Sequence, residues 1–563
     1  MAAWEKATVV ICHLSLVFSP HTPHPPHTLW NLWQIKENYL NNAIVNLLNY
    51  QSVSQKSTPV LFGDKKPLLH KRWLRWCLLG CLSLLLLTGC SVNSSAGKTL
   101  RVANEPAFPP FEFLGTDGKP QGFSLDLMNA IAQAANFKIE FQSVPFDGII
   151  PALQAKTVDA AISSITITEE RAKTVSFSRP YFKAGLAIAI RSDNQDITNF
   201  DSLKNKKIAV QIGTTGAKKA QDIPGAKIRS FDSAPLALQE LANRNVDAVI
   251  NDAPVTLYAI NTGNLKGLKV VEQLLTEEYY GIATPKNSAN LALINDGIDK
   301  ILKNGTYTQI YRKWFKADPP SLPATSPFAN QAGGVTGLFA SLGVIWRSLP
   351  TLLQGVLVTL QLTVLSVVLG LVGGSLIGII RLSRIASVRW IARAYVDFFR
   401  GTPLLVQIFM IYFGIPAIAQ ELGFTFSFDR LVAGVVALSL NSAAYIAEIV
   451  RAGIQSIEPG QAEASQSLGL SSVQTMRYVI FPQAFRRMIP PLGNEFISLL
   501  KDTSLVAVIG FEELFRKGQL IVADNYRAFE IYSAVAVVYL CLTLLSSQAF
   551  SRLEAWMNPV KRS

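Results

Sequence analysis

The stretch Glu463-Ala464-Ser465-Gln466-Ser467-Leu468-Gly469, continuing to Val479-Ile480-Phe481-Pro482, lies between two long apolar runs and decides how the rest of the chain is read. Arg451, Arg477, Arg486 and Arg487 flank it. A polar loop punctuated by glycine and bordered by arginines belongs on the cytoplasmic side of a membrane, because Lys and Arg are retained there. The apolar runs beside it are therefore expected to cross the bilayer.

Counting outward from that loop, spans are expected at about 352–380, 402–420, 431–452, 488–509 and 528–550. The loop after the first carries Arg381, Arg384, Arg389 and Arg393, and the chain ends on Lys561-Arg562. Both are cytoplasmic by the same rule, and an odd number of spans then leaves everything before them outside. Composition agrees: 49% of the 563 residues are hydrophobic and only 16% charged. The net charge of +13 is spread over a globular front half and clustered beside spans behind. Nucleic-acid binding, which needs a basic stripe on one face, is not expected. Polar residues in or beside spans (Gln407, Asn441, Glu448, Asn494, Glu495) either line a substrate path or bond between helices. Pro490-Pro491 is expected to break a helix.

The run Leu84-Leu85-Leu86-Leu87-Thr88-Gly89-Cys90 follows Lys71, Arg72 and Arg75 and describes an export signal over 70–90. Residues 1–69 precede it as a low-complexity leader or a mis-assigned start, and His21, His24 and His27 there carry no function. The five cysteines all lie outside the globular segment, so neither a disulfide framework nor a zinc site is expected in it. Gly97-Lys98-Thr99 imitates the end of a P-loop, but Val92 stands where the first glycine is required. No nucleotide site is expected on this chain.

From about Lys98 to 317, strand-like runs (Thr99–Ala103, Val158–Ile162, Lys207–Val210, Val246–Ile250) alternate with helical spacing such as Leu125–Ala135. That alternation predicts α/β architecture with largely parallel sheets. Extended segments at Gly185–Arg191 and Tyr280–Thr284 are placed to join two lobes, giving a hinged cleft. A Pro-, Ser- and Gly-containing linker is read over 318–345, and the membrane half over 346–557 with its cytoplasmic loop at 453–487.

The loop quoted first resembles the coupling loop of ABC-importer permeases. Arg400-Gly401-Thr402-Pro403-Leu404-Leu405-Val406-Gln407 and Asn441–Gly453 resemble the amino-acid branch of that family. In the front half, Gly122–Leu127, Phe146–Leu153, Ile165–Arg171, Phe177–Tyr181 and Asn304–Phe315 resemble polar amino-acid binding proteins of ABC systems. Leu-Thr-Gly-Cys resembles a lipobox, which implies lipidation at Cys90. The resemblances imply an α/β two-lobed periplasmic-binding-protein domain (type II) followed by an all-α five-helix ABC-importer transmembrane domain.

They also imply a substrate site at Glu105, Phe108, Phe146, Ser164, Thr166, Arg171, Gln211, Thr214 and Asp252. Arg171 suits an α-carboxylate, because its planar fork binds two oxygens at once. The alternative for Arg171 is an ordinary ion pair with Glu169 or Glu170. Ser164 and Thr166 offer hydroxyls, Thr168 reads as an N-cap, and Asp252 pairs an α-ammonium. Phe108 and Phe146 would sandwich the side chain, unless they are simple core. Glutamine-specific members carry Asp, Lys and His at the positions of Glu105, Gln211 and Asn251. All three differ here, and an acidic Glu105 facing neutral Gln211 favours basic amino acids, with glutamine also open.

The implied function is amino-acid import across the plasma (inner) membrane. No catalytic residue, metal or cofactor is implied on this chain. ATP would be used by a separate ABC ATPase subunit docking at Glu463, Ala464, Gly469 and Pro482, on a homodimer of this chain. A ligand-gated channel is disfavoured because the binding domain is contiguous, and an enzyme because the domain holds no His.

Overall fold

The structure, a computed structural model, describes residues 98–557 apart from 116, 263–264, 266, 274, 329–337 and 425–427. The leader, the export signal with Cys90 and the middle of the linker lie outside the described residues.

The chain enters a first lobe through β1 (Thr99–Asn104), β2 (Ala107–Phe108), β3 (Glu112–Leu114), β4 (Pro120–Gln121), β5 (Lys138–Ser143), β6 (Ala160–Ala161) and β7 (Val175–Phe177). It leaves by β8 (Phe182–Ala184). A second lobe holds β9 (Leu186–Arg191), β10 (Lys207–Gln211), β11 (Lys227–Phe231), β12 (Ala248–Asp252) and β13 (Leu268–Gln273). Then β14 (Glu278–Tyr280) returns the chain to the first lobe, where β15 (Ala283–Pro285) joins the sheet. The sheets run β5-β1-β6-β15-β7 and β11-β10-β12-β9-β13. Within each, four strands run the same way and one, β15 or β9, runs against them, so the sheets are largely parallel as expected, with antiparallel pairing confined to the two neighbours of the reversed strand. The antiparallel members are strands that run to or from the hinge, and a chain that crosses and returns must reverse direction. The hinge itself is the antiparallel pair β8–β14.

Both lobes follow from burial. β9 reads Leu-Ala-Ile-Ala-Ile-Arg, and its first five residues are buried, as expected of a strand covered on both faces. The first lobe closes on a cluster of rings, with Phe111, Phe123, Phe182, Tyr280 and the helix Thr306–Phe315 in edge and stacked contacts. Such contacts add to the area that the rings bury.

Behind the linker the chain is helical. Among the described residues, three helices are long and apolar enough to cross a membrane: Leu342–Ile380, Arg430–Gln455 and Ala528–Met557. A fourth crossing arises if Ala386–Gly401 and Leu404–Ala419, bent by 105° at Thr402-Pro403, act as one span. The remaining expected span, 488–509, falls on Phe481–Asp502 and a following 3-10 segment, Thr503–Ile509. Arg486, Arg487, Glu495, Lys501 and Asp502 make that helix too polar to qualify by composition.

Two expectations are corrected. The helix that carries the first candidate span runs Leu338–Ile380 and so begins inside the segment read as linker. Pro490 and Pro491 do not break their helix, which runs unbroken from Phe481 to Asp502. Packing on both sides holds it, with Met488 against Gly453 and Gly493 against Phe550.

Gly370, Gly374 and Gly378, one turn apart, form a smooth ridge on the first membrane helix. A Cβ at Gly374 would lie 2.7 Å from Ala443 O, and one at Gly378 2.8 Å from Ala447 O. Backbone-to-backbone approach through small residues is how helices associate where lipid competes equally for apolar surface.

Candidate functional site

The site is built at the strand ends where the two lobes face each other. The helix Glu169–Thr174 starts at Thr168, whose hydroxyl accepts from the Arg171 N–H, so the expected cap is present. That turn aims Arg171 into the cleft, where it is buried. Its Nη1 donates to Thr166 O at 2.8 Å, and its Nη2 donates across the cleft to Gly213 O at 2.8 Å. The guanidinium carbon lies 5.4 Å from the centre of the Phe146 ring. The ion-pair alternative for Arg171 falls away, since Glu169 pairs with Lys173 and Glu170 with Lys218.

Glu105 follows β1 and Gln211 ends β10, so each lobe contributes one. Gln211 Nε2 donates to Glu105 Oε2 at 2.7 Å, the facing arrangement expected from sequence. The Ser163 hydroxyl receives the Glu105 N–H. Burial pushes the Glu105 carboxyl up to about 7, against the opposing pull of the Gln211 amide. Asp252 ends β12 and is also buried, with the Tyr280 hydroxyl donating to its Oδ2. Burial lifts it as well, to about 7, with the Glu278 charge adding to the rise. Two carboxyls held near neutrality in one cleft are easily ionised by an arriving cation.

The other expected residues take more local roles. Thr166 gives its hydroxyl to Glu278 Oε2 at 2.8 Å. Thr214 accepts from Ala217 N–H, caps the helix Thr215–Gln221 and donates to Gln211 O, fixing the turn that carries Gln211 and Gly213. Ser164 has a left-handed backbone (φ 51), and its buried hydroxyl lies beside the Glu112 carboxyl and the Tyr181 hydroxyl. Phe108 packs on Phe111 within the lobe's ring cluster, whereas Phe146 lies beneath Arg171.

Sequence reasoning missed three residues. Glu278, on the hinge strand β14, accepts from Thr166, from Thr215 of the other lobe and from Thr276. Tyr280 holds Asp252 across the lobes. Glu112 on β3 is fully buried, the Ser124 and Ser164 hydroxyls lie against its carboxyl, and burial raises its pKa well above the usual range. The signal for Glu112 was a lone acidic residue inside the apolar run Phe111–Phe113.

In the membrane half, Gln407 Nε2 donates to Phe399 O and to Thr402, tying the bent helix pair, while Asn441 donates to Gln407 Oε1. Asn441, Arg400, Glu495 and Lys501 line an open cavity of about 570 Å³. Of the five polar residues expected to line a path or bond helices, Asn441 and Glu495 therefore reach a cavity. Glu448 instead pairs with Arg381 and Arg451, and Asn494 is exposed on its helix.

The loop expected to be cytoplasmic folds as a helix Pro459–Ser467 and a capped turn at Ser471, with Gly469 between them at φ 84. Glu463, Ala464, Gly469 and Pro482 are exposed, and Leu468 presents an apolar knob, 84% exposed.

Comparison with known proteins matches the description "Bacterial extracellular solute-binding proteins, family 3" over residues 100–317. It matches "Binding-protein-dependent transport system inner membrane component" over 370–559. The glutamine transport system permease protein GlnP of Escherichia coli (strain K12) is 47% identical over 214 residues, covering 38% of this chain and 96% of that protein. A probable histidine-binding protein of Neisseria gonorrhoeae is 35% identical over 258 residues, 44% of this chain and 96% of that one. Among solved structures, an ancestral arginine-binding protein bound to glutamine shares 45% identity over 39% of this chain and 98% of its own, with a TM-score of 0.38.

Proposed function

The chain belongs to the polar amino-acid ABC importers, as a family 3 solute-binding protein fused to an inner-membrane permease, and from that premise we propose that it takes up basic amino acids or glutamine. Neither family is one of enzymes. In this reading Arg171 grips the α-carboxylate, Asp252 the α-ammonium, and Glu105 with Gln211 the side chain. Phe146 covers the aliphatic stem, with Phe108, Ser164, Thr166 and Thr214 completing the wall.

The observation that carries the proposal is the pairing across the cleft: Arg171 with Gly213 and Glu105 with Gln211. Each contact joins a residue suited to a zwitterion or its side chain to the opposite lobe. A ligand between them therefore favours closure by contacts that the open form lacks.

The remaining parts of the reading rest on family and charge. The binding domain lies outside, exported by the 70–90 signal and held there with lipid on Cys90. Two copies of the chain form the pore, with Asn441 and Glu495 on the path. ATP is hydrolysed by a separate subunit seated on Glu463, Ala464, Leu468, Gly469 and Pro482, and this chain needs no cofactor of its own.

The test is calorimetric titration of the full chain in lipid nanodiscs against the twenty standard amino acids. Micromolar or tighter binding of arginine, lysine, histidine or glutamine is expected. Binding of acidic or apolar amino acids alone, or of none, overturns the proposal.

A further inference from the structure

The hinge strand β14 carries Glu278 and Tyr280 two residues apart, so both project from one face, and both are buried. Each reaches a ligand-holding part of the second lobe. The Tyr280 hydroxyl donates to Asp252, and Glu278 takes a hydroxyl from Thr215. The Glu278 carboxylate accepts three hydroxyls in all: Thr166 at 2.8 Å and Thr215 at 2.9 Å on Oε2, and Thr276 at 2.9 Å on Oε1. An ionised carboxylate only accepts, and a buried one depends on such donors.

Two of the three donors belong to the segments that hold Arg171. Thr166 O accepts the Arg171 Nη1, and Gly213 O accepts its Nη2, each at 2.8 Å. Gly213 stands two residues before Thr215, in the turn that the Thr214 hydroxyl closes. The attachments of these two segments differ. Thr166 bridges to Tyr280, the Ile167 N–H donates to Tyr279 O, and the Gly281 N–H donates to Ile165 O. Residues 165–167 and β14 therefore move as one body. Thr215 instead moves with the second lobe, where a Cβ on the adjacent Gly216 would lie 2.9 Å from Ile250 O of β12. The Thr215 bond is thus the one that opening of the cleft stretches.

We propose that Glu278 is a positioning residue of the amino-acid site, tying the Thr166 and Thr215 segments to the hinge strand so that Arg171 meets the ligand carboxylate between two fixed carbonyls. This rests on the import reading and deepens it: a hinge residue that touches no ligand sets how long the ligand stays.

The experiment uses the full chain in nanodiscs, with L-arginine and L-glutamine as probes. Thr215→Val keeps the side-chain shape and removes the cross-cleft donor. Affinity for both probes should weaken by roughly tenfold, as for a lost hydrogen bond to a charged group, and the change should lie in the dissociation rate. Thr215→Ser keeps the hydroxyl and should bind like the parent. Thr276→Val removes a hydroxyl from the other oxygen of the same carboxylate, where neither segment holding Arg171 bonds. It should lower the melting temperature and leave affinity nearly unchanged, whereas a purely structural Glu278 would make the two valine variants act alike. Combining Glu278→Gln with Thr215→Val should be no weaker than the worse single, because both remove one interaction. Hydrogen exchange without any amino acid gives a second readout. Glu278→Gln should speed exchange of the Arg171 and Ala217 N–H groups, which lie in different lobes and bond to Thr168 and Thr214 rather than to Glu278. Thr215→Val binding as tightly as the parent, equal losses in the two valine variants, or unchanged exchange at either amide overturns the proposal. Failure of both probes to bind the unaltered chain counts against the import reading, and the exchange result still decides the role of Glu278.

Discussion

Replacing Asp252 with asparagine keeps the shape of the cleft and removes one of its charges, and the structure assigns opposite signs to the two consequences. Asp252 is 5% exposed, and among the described residues its side-chain hydrogen bond comes from the Tyr280 hydroxyl, which an asparagine oxygen also accepts. With an α-ammonium opposite it, loss of the carboxylate leaves a buried cation unpaired, which costs about 3–5 kcal/mol. Binding of L-arginine and L-glutamine should therefore weaken by roughly 100-fold or more. The ligand-free protein should respond the other way. Burial raises this carboxyl from 3.8 to about 7, so the folded state holds a proton that the unfolded chain has already released. Stability is then lost as pH rises from about 4 to 7 and stays lost above that. A rise of roughly three units corresponds to at most about 4 kcal/mol withheld at pH 8. The neutral asparagine escapes that penalty, so the variant's melting temperature should exceed the parent's at pH 8, with the gap closing towards pH 4. Calorimetric titration and thermal scans on the full chain measure both. A variant that binds within threefold of the parent, or that loses stability together with affinity, refutes the assigned role.

Two more outcomes follow from the same structure. Because Glu105 and Asp252 both lie near pH 7 before a ligand arrives, arginine affinity should rise with pH between about 5.5 and 7 and level off above, with proton release from both groups, while glutamine should show about half the slope; equal profiles would place Glu105 away from the side chain. Gly374→Val would push a branched side chain into Ala443 O and Ile446, each 2.7 Å from where a Cβ would stand, so the stability of the membrane half should fall by about 2 kcal/mol or more in a detergent or denaturant titration while ligand affinity stays within twofold; an unchanged midpoint would show that the glycine ridge does not hold these helices.

Much of the site was legible because its members are local signals. Thr168 caps the turn that aims Arg171, and the bond runs only three residues along the chain. Ser471 and Gln474 form a capping box over the same distance in the cytoplasmic loop. Apolar runs of the needed length marked three helices long and apolar enough to cross a membrane, but two of these run further than expected, from Leu342 rather than 352 and to Met557 rather than 550. What escaped depended on distant partners. Glu278 meets Thr166 from 112 positions away, and nothing in either neighbourhood announces it. Pro490 and Pro491 argued for a break, and contacts with Gly453 and Phe550 overrode that local preference.

The sequence by itself determined the two-part organisation and the apolar runs that become the long helices of the second part. Those properties depend on periodicity, charge and spacing along one stretch of chain. Only the tertiary structure decided which carboxyls are buried together and that Arg516 of the membrane half meets Asp232 of the second lobe across 284 positions. Burial and cross-chain distance are set by packing, and packing is a property of the whole fold.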